Sequence, residues 1–142
     1  MIHDRRMDRA IDRTRADVPL TPIEVGLTAA IVAVEAEEHV HELIDFVQRW
    51  DRRAPIAMHC YAGISRSTAG AFISACALNP DRDEAIIAQT IRDSSKTAAP
   101  NIMLVSHADR ILGRNGRMIA AVEALGPGLP SLEGHPFRLD LE

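Results

Sequence analysis

Nine residues, His59-Cys60-Tyr61-Ala62-Gly63-Ile64-Ser65-Arg66-Ser67, constrain this chain more than any other stretch. The apolar run Pro55-Ile56-Ala57-Met58 leads into them, and an alanine-rich run from Thr68 to Leu78 leads out. That order predicts a strand over 55–59, a short glycine-containing loop and a helix over 66–78. Such a loop turns its backbone N–H groups, with the free N–H groups of the helix start, toward one spot. The helix N-terminus carries partial positive charge, so the spot suits an anion. Cys60 opens the loop and Arg66 closes it. A thiol in an electropositive cradle ionises at lower pH than a free one, and the thiolate is the competent nucleophile. Arg66 offers a planar fork for two oxygens of a phosphoryl group. Nucleophile, anion cradle and bidentate cation together describe a site for attack on phosphorus.

His, Cys, five residues, Arg and Ser in this order resemble the signature of the cysteine-dependent protein tyrosine phosphatases. The form HCYAGISRS is most similar to the dual-specificity branch and its small bacterial relatives. The resemblance covers about residues 35–112. It implies an α/β fold: a central, mostly parallel sheet, a helical C-terminal half, and the phosphate loop between strand 55–59 and helix 66–78. It implies that Cys60 attacks phosphorus and that Arg66 stabilises the trigonal-bipyramidal transition state. Ser67 would hydrogen-bond the thiolate and help it leave in the second step. Tyr61, Ala62, Gly63, Ile64 and Ser65 would bind the phosphoryl group, mainly through backbone N–H groups. His59 is expected to support the loop by bonding neighbouring backbone. Relatives use an aspartate on an upstream loop as general acid. Asp17, with Pro22 and Gly26-Leu27 after it, fits that pattern loosely, and Glu24 and Glu35 are rivals. The chemistry needs no metal and no cofactor, and no histidine cluster suggests a metal site. Relatives also carry one or two strands ahead of this loop. The charged start of this chain does not resemble them, which leaves a misassigned start or lost sheet strands as the two readings.

A chain of 142 residues is one domain by length. Net charge is −4, so there is no electrostatic case for nucleic acid. Cys60 and Cys76 do not make a disulfide framework. The proposed helix separates them too far for a bridge, so both thiols are expected free in a reducing, cytoplasmic compartment. No signal peptide and no membrane-spanning apolar run is legible. Residues 1–17 alternate in charge and read as a solvated helix or a disordered tail, ahead of a single domain over 18–142.

Gly26 to Val34 reads as a strand or as the first turns of the next helix. Val40, Leu43, Ile44, Val47 and Trp50 recur at helical spacing, predicting a helix over 35–50. With a strand over 28–34, this makes a right-handed βαβ crossover, with the loop at the carboxyl end of the sheet. Helix 66–78 is apolar nearly all round and should be central. Asp81 and Glu84 have capping-box-like spacing for a helix to about Asp93, with Ala85, Ile86, Ala88 and Ile91 carrying much of its buried face. Asn101 is the expected N-cap of a further helix, which Gly113 and Gly116 divide. Residues 126–130 form a loop, and Pro136–Leu141 an edge segment that packs back.

Three functions follow from these residues. The first is a phosphatase working through a cysteinyl-phosphate on a phosphoprotein or phosphopeptide, phosphotyrosine first. Tyr61 and Ile64 are not basic, which argues against a highly charged phosphoinositide. The second is a phosphoryl-binding pseudo-phosphatase with the cradle but no acid. The third, a sulfur- or arsenate-handling enzyme, fits the loop pattern least well.

Overall fold

The computed structural model describes residues 37–141. Five helices account for their regular structure: α1 (Glu37–Arg49), α2 (Arg66–Leu78), α3 (Glu84–Ser94), α4 (Ile102–Ile111) and α5 (Arg117–Leu125). The expected central sheet is overturned, because no strand occurs among the described residues. Residues 55–59 are irregular, and none of the backbone hydrogen bonds between described segments involves them. Their apolar character is met instead by side-chain packing. Ile56 and Met58 are half-buried against the helical core. The Ser74 hydroxyl donates to Met58 Sδ at 3.8 Å. A strand needs a second backbone to pair with, and a short apolar run reports only that the segment is covered. The other strand of the expected crossover, over 28–34, lies outside the described residues, as do the charged segment 1–17 and the candidate acids Asp17, Glu24 and Glu35.

The helices follow their sequence signals closely. α1 buries Val40, Leu43, Ile44 and Val47, one stripe at 3.6-residue period. Glu37 and Glu38 occupy its first turn and Arg49 its last, each with the sign its dipole favours. Trp50 lies just beyond, donating its indole N–H to Ala54 O at 2.9 Å. α2 is the hub and packs against α1, α3 and α4. Its buried residues include Thr68, Ala69, Gly70, Phe72, Ile73, Ala75 and Cys76, so it is enclosed on most sides as expected.

Helix α3 departs from its prediction in a useful way. Asp83, not Asp81, is the N-cap, and its carboxylate accepts from Ala85 N and Ile86 N. Glu84 therefore starts the helix and turns inward with Ile87, Ala88 and Ile91, while Ile86 is 56% exposed. Glu84 meets Arg114 at 3.0 Å, and both side chains are only 7% exposed. Arg114 also donates to Pro80 O and Cys76 O, and Arg117 Nε reaches Glu84 at 3.2 Å. This buried ion network joins α5 and the turn before it to the end of α2 and the start of α3.

Asn101 caps α4 as expected, its side chain accepting from Met103 N and Leu104 N at 3.1 Å each. The break between α4 and α5 falls at Gly113 and Gly116, both with positive φ. Asp109 closes the break, accepting from Gly116 N at 2.7 Å and Met118 N at 2.9 Å. Beyond α5 the chain runs back without regular structure. Phe137, Leu139 and Leu141 pack on the helical core, so the expected edge segment does return, although not as a strand.

Candidate active site

The site is the loop between the irregular stretch ending at His59 and the first turn of α2. Its shape comes from where its carbonyls go. Ala62 O accepts from Gly134 N at 2.7 Å, Ile64 O from Ala99 N at 3.0 Å, and Ser65 O from Asn101 N at 3.2 Å. Ser65 O also accepts the first helical bond, from Ala69 N at 3.0 Å. In a trans peptide the N–H points opposite to the C=O. Drawing these three carbonyls outward therefore turns the N–H groups of Gly63, Ser65 and Arg66 the other way. Gly63 makes the reversal possible with φ of 70°, a conformation other residues resist. The Thr68 hydroxyl donates to Ile64 O and Ser65 O, locking the loop to the helix start.

The Cys60 sulfur sits on the amide side. Gly63 N–H donates to Sγ at 3.3 Å. Ser67 Oγ lies 3.3 Å from the same sulfur. Burial raises the Cys60 pKa, but the Ser67 hydroxyl and the N–H groups of Ser67, Gly63 and Ile64 outweigh it, and the net shift is downward. The physical reason is that each donor bonds the thiolate better than the thiol. Cys76 makes the contrast. Burial within α2 pushes its thiol up to about 12, with only partial opposition from Arg114. Both cysteines are free.

Ser65 precedes α2 and makes no side-chain cap bond. Arg66 opens the helix and is half-buried, and Ser67 is buried behind the sulfur. Ala62, Gly63, Ile64 and Ser65 are half-buried, whereas Tyr61 is 73% exposed at the mouth of the loop. His59 differs from expectation. Its Nε2 is buried and has no hydrogen-bond partner among the described residues. Burial lowers its pKa, which favours the neutral ring. No group of three or more His, Cys, Asp or Glu side chains is gathered as a metal site among the described residues.

Cys60, Gly63 and Ser67 are thus brought together as the sequence implied. The outer supports, Ala99, Asn101 and Gly134, were not anticipated. They act through backbone N–H groups, which leave no side-chain signature; Asn101 was legible only as a helix cap. Among the described residues no helix is long and apolar enough to cross a membrane. Comparison with protein-family models, with curated proteins and with solved structures finds no match to this chain.

Proposed function

We propose that the chain hydrolyses phosphomonoesters through a cysteinyl-phosphate, as a protein tyrosine or dual-specificity phosphatase. The observation that carries the reading is the Cys60 sulfur, held between the Gly63 amide and the Ser67 hydroxyl at 3.3 Å each and made more acidic despite burial. The thiolate attacks phosphorus, the P–O bond to the leaving group breaks, and the departing oxygen takes a proton. Water then attacks phosphorus and gives its proton to the carboxylate left by the first step; the S–P bond breaks, orthophosphate departs and the thiolate, to which Ser67 donates, is restored. Arg66 and the inward amides hold the phosphoryl oxygens through both steps. The proton donor in the first step is Asp17, with Glu24 and Glu35 as rivals.

A phosphoprotein or phosphopeptide is the substrate, phosphotyrosine first; Tyr61 and Ile64 carry no positive charge, which argues against a highly charged phosphoinositide. Two free thiols fit a reducing compartment, the cytoplasm. The test is turnover of an aryl phosphate by the full chain and by Cys60→Ser. Hydrolysis that depends on Cys60 supports the mechanism, and activity surviving the substitution sinks it. Tungstate binding without turnover identifies a phosphoryl-binding pseudo-phosphatase instead.

A further inference from the structure

The C-terminal segment after α5 runs across the outer side of the candidate active-site loop. Arg92, near the end of α3, roots it there. Its guanidinium donates to Leu125 O at 3.0 Å, Gly126 O at 2.8 Å and Pro127 O at 3.2 Å, and its Nε to Ala98 O at 3.0 Å. Leu129 N then bonds Lys96 O at 2.8 Å. Five residues further on, Gly134 N reaches Ala62 O at 2.7 Å.

That last bond has a consequence inside the loop. Ala62 O and Gly63 N belong to one trans peptide, so they point in opposite directions. The carbonyl end is held by Gly134 and the amide end by the Cys60 sulfur, at 2.7 Å and 3.3 Å. The tail and the sulfur thus grip the same rigid unit from its two sides. The contact is tight: a Cβ on Gly134 would collide with Gly63 O and lie 3.0 Å from Gly63 C. Glycine at 134 is therefore a requirement of approach, backbone against backbone.

We infer that residues 126–134 are a strap that aims the Gly63 amide at the Cys60 sulfur, with Gly134 as a positioning residue for the thiolate. The inference rests on the reading of Cys60 as the nucleophile. Gly134 touches no reacting atom and acts only through the peptide it orients.

The pH dependence of Cys60 alkylation by iodoacetamide, followed by mass spectrometry, tests it without requiring turnover. Gly134→Ala pushes the tail off Ala62 O. Its alkylation midpoint is expected to move to higher pH, with reaction at pH 6 slowed about tenfold, the scale of one hydrogen bond to a charged group. Tungstate affinity falls in parallel. Arg92→Ala loosens the root of the strap without adding an atom to the loop, and should shift the midpoint the same way. Leu132→Ala, at a fully exposed side chain on the strap, should leave it unchanged. A folded Gly134→Ala protein with the wild-type midpoint overturns the strap; if that variant does not fold, an unshifted Arg92→Ala does so. An ordinary midpoint in the unsubstituted protein overturns the nucleophile itself, and the strap with it.

Discussion

Ser67 Oγ lies 3.3 Å from Cys60 Sγ, although the two are seven positions apart in the chain. The first turn of α2 makes the meeting possible. It carries Ser67 back over the sulfur while the loop between them bows outward to Gly134, Ala99 and Asn101. As a hydroxyl beside a thiolate, Ser67 donates, and removing it leaves the anion to the backbone amides alone. Ser67→Ala is expected to raise the alkylation midpoint of Cys60 and to slow breakdown of the cysteinyl-phosphate about 10–100-fold. Burst kinetics on an aryl phosphate check this, because the loss should fall on the second step.

The two cysteines should react very differently. The Cys60 pKa is lowered and that of Cys76 is pushed up to about 12. Limiting iodoacetamide at pH 7 should therefore label Cys60 alone in the native protein and both in urea. A thiol with a depressed folded pKa contributes stability that is present above its unfolded pKa and lost as pH falls through the folded value. The advantage of the unsubstituted protein over Cys60→Ser should accordingly grow as pH rises toward about 9, the ordinary thiol value. Melting temperatures of the pair across pH 6–9 measure it.

Arg66→Lys keeps the charge at the loop's end but loses the planar fork. For a reaction whose transition state spreads charge over equatorial oxygens, kcat/KM should fall about 10²–10³-fold. A far-UV spectrum like that of the parent is expected, since position 66 is half-buried and lysine suits a helix. An unchanged kcat/KM would remove Arg66 from the proposed chemistry.

The buried Arg114–Glu84 pair makes the fold's own vulnerability. Arg114 holds Glu84, Cys76 O and Pro80 O together from a position 7% exposed. Glu84→Ala leaves that guanidinium buried without its carboxylate, and should cost about 3–5 kcal/mol of stability in urea titration. Arg117, more exposed, shares Glu84 but cannot replace it.

His59 adds a pH signature opposite to that of a paired histidine. Burial lowers its pKa, so the stability linked to it is present above the unfolded value of 6.5 and declines as pH falls below that. In His59→Asn this part of the acid sensitivity should vanish, so the melting temperatures of the two proteins converge or cross as pH falls from 7 to 5.

Much of the chain was decided locally. The span of α2, the Asn101 cap, the buried stripe of α1 and the break at Gly113 and Gly116 all follow from periodicity and end signals within a few residues. So did the meeting of Cys60 with its loop amides and Ser67, because loop and helix start are contiguous. Only the tertiary structure decided the rest. It set residues 55–59 against helices rather than in a sheet, since an apolar run records burial and not the partner that provides it. It drew Glu84 inward, because Arg114 lies thirty residues away. And it laid Gly134 on Gly63, a contact between two backbones, for which side-chain chemistry offers no code.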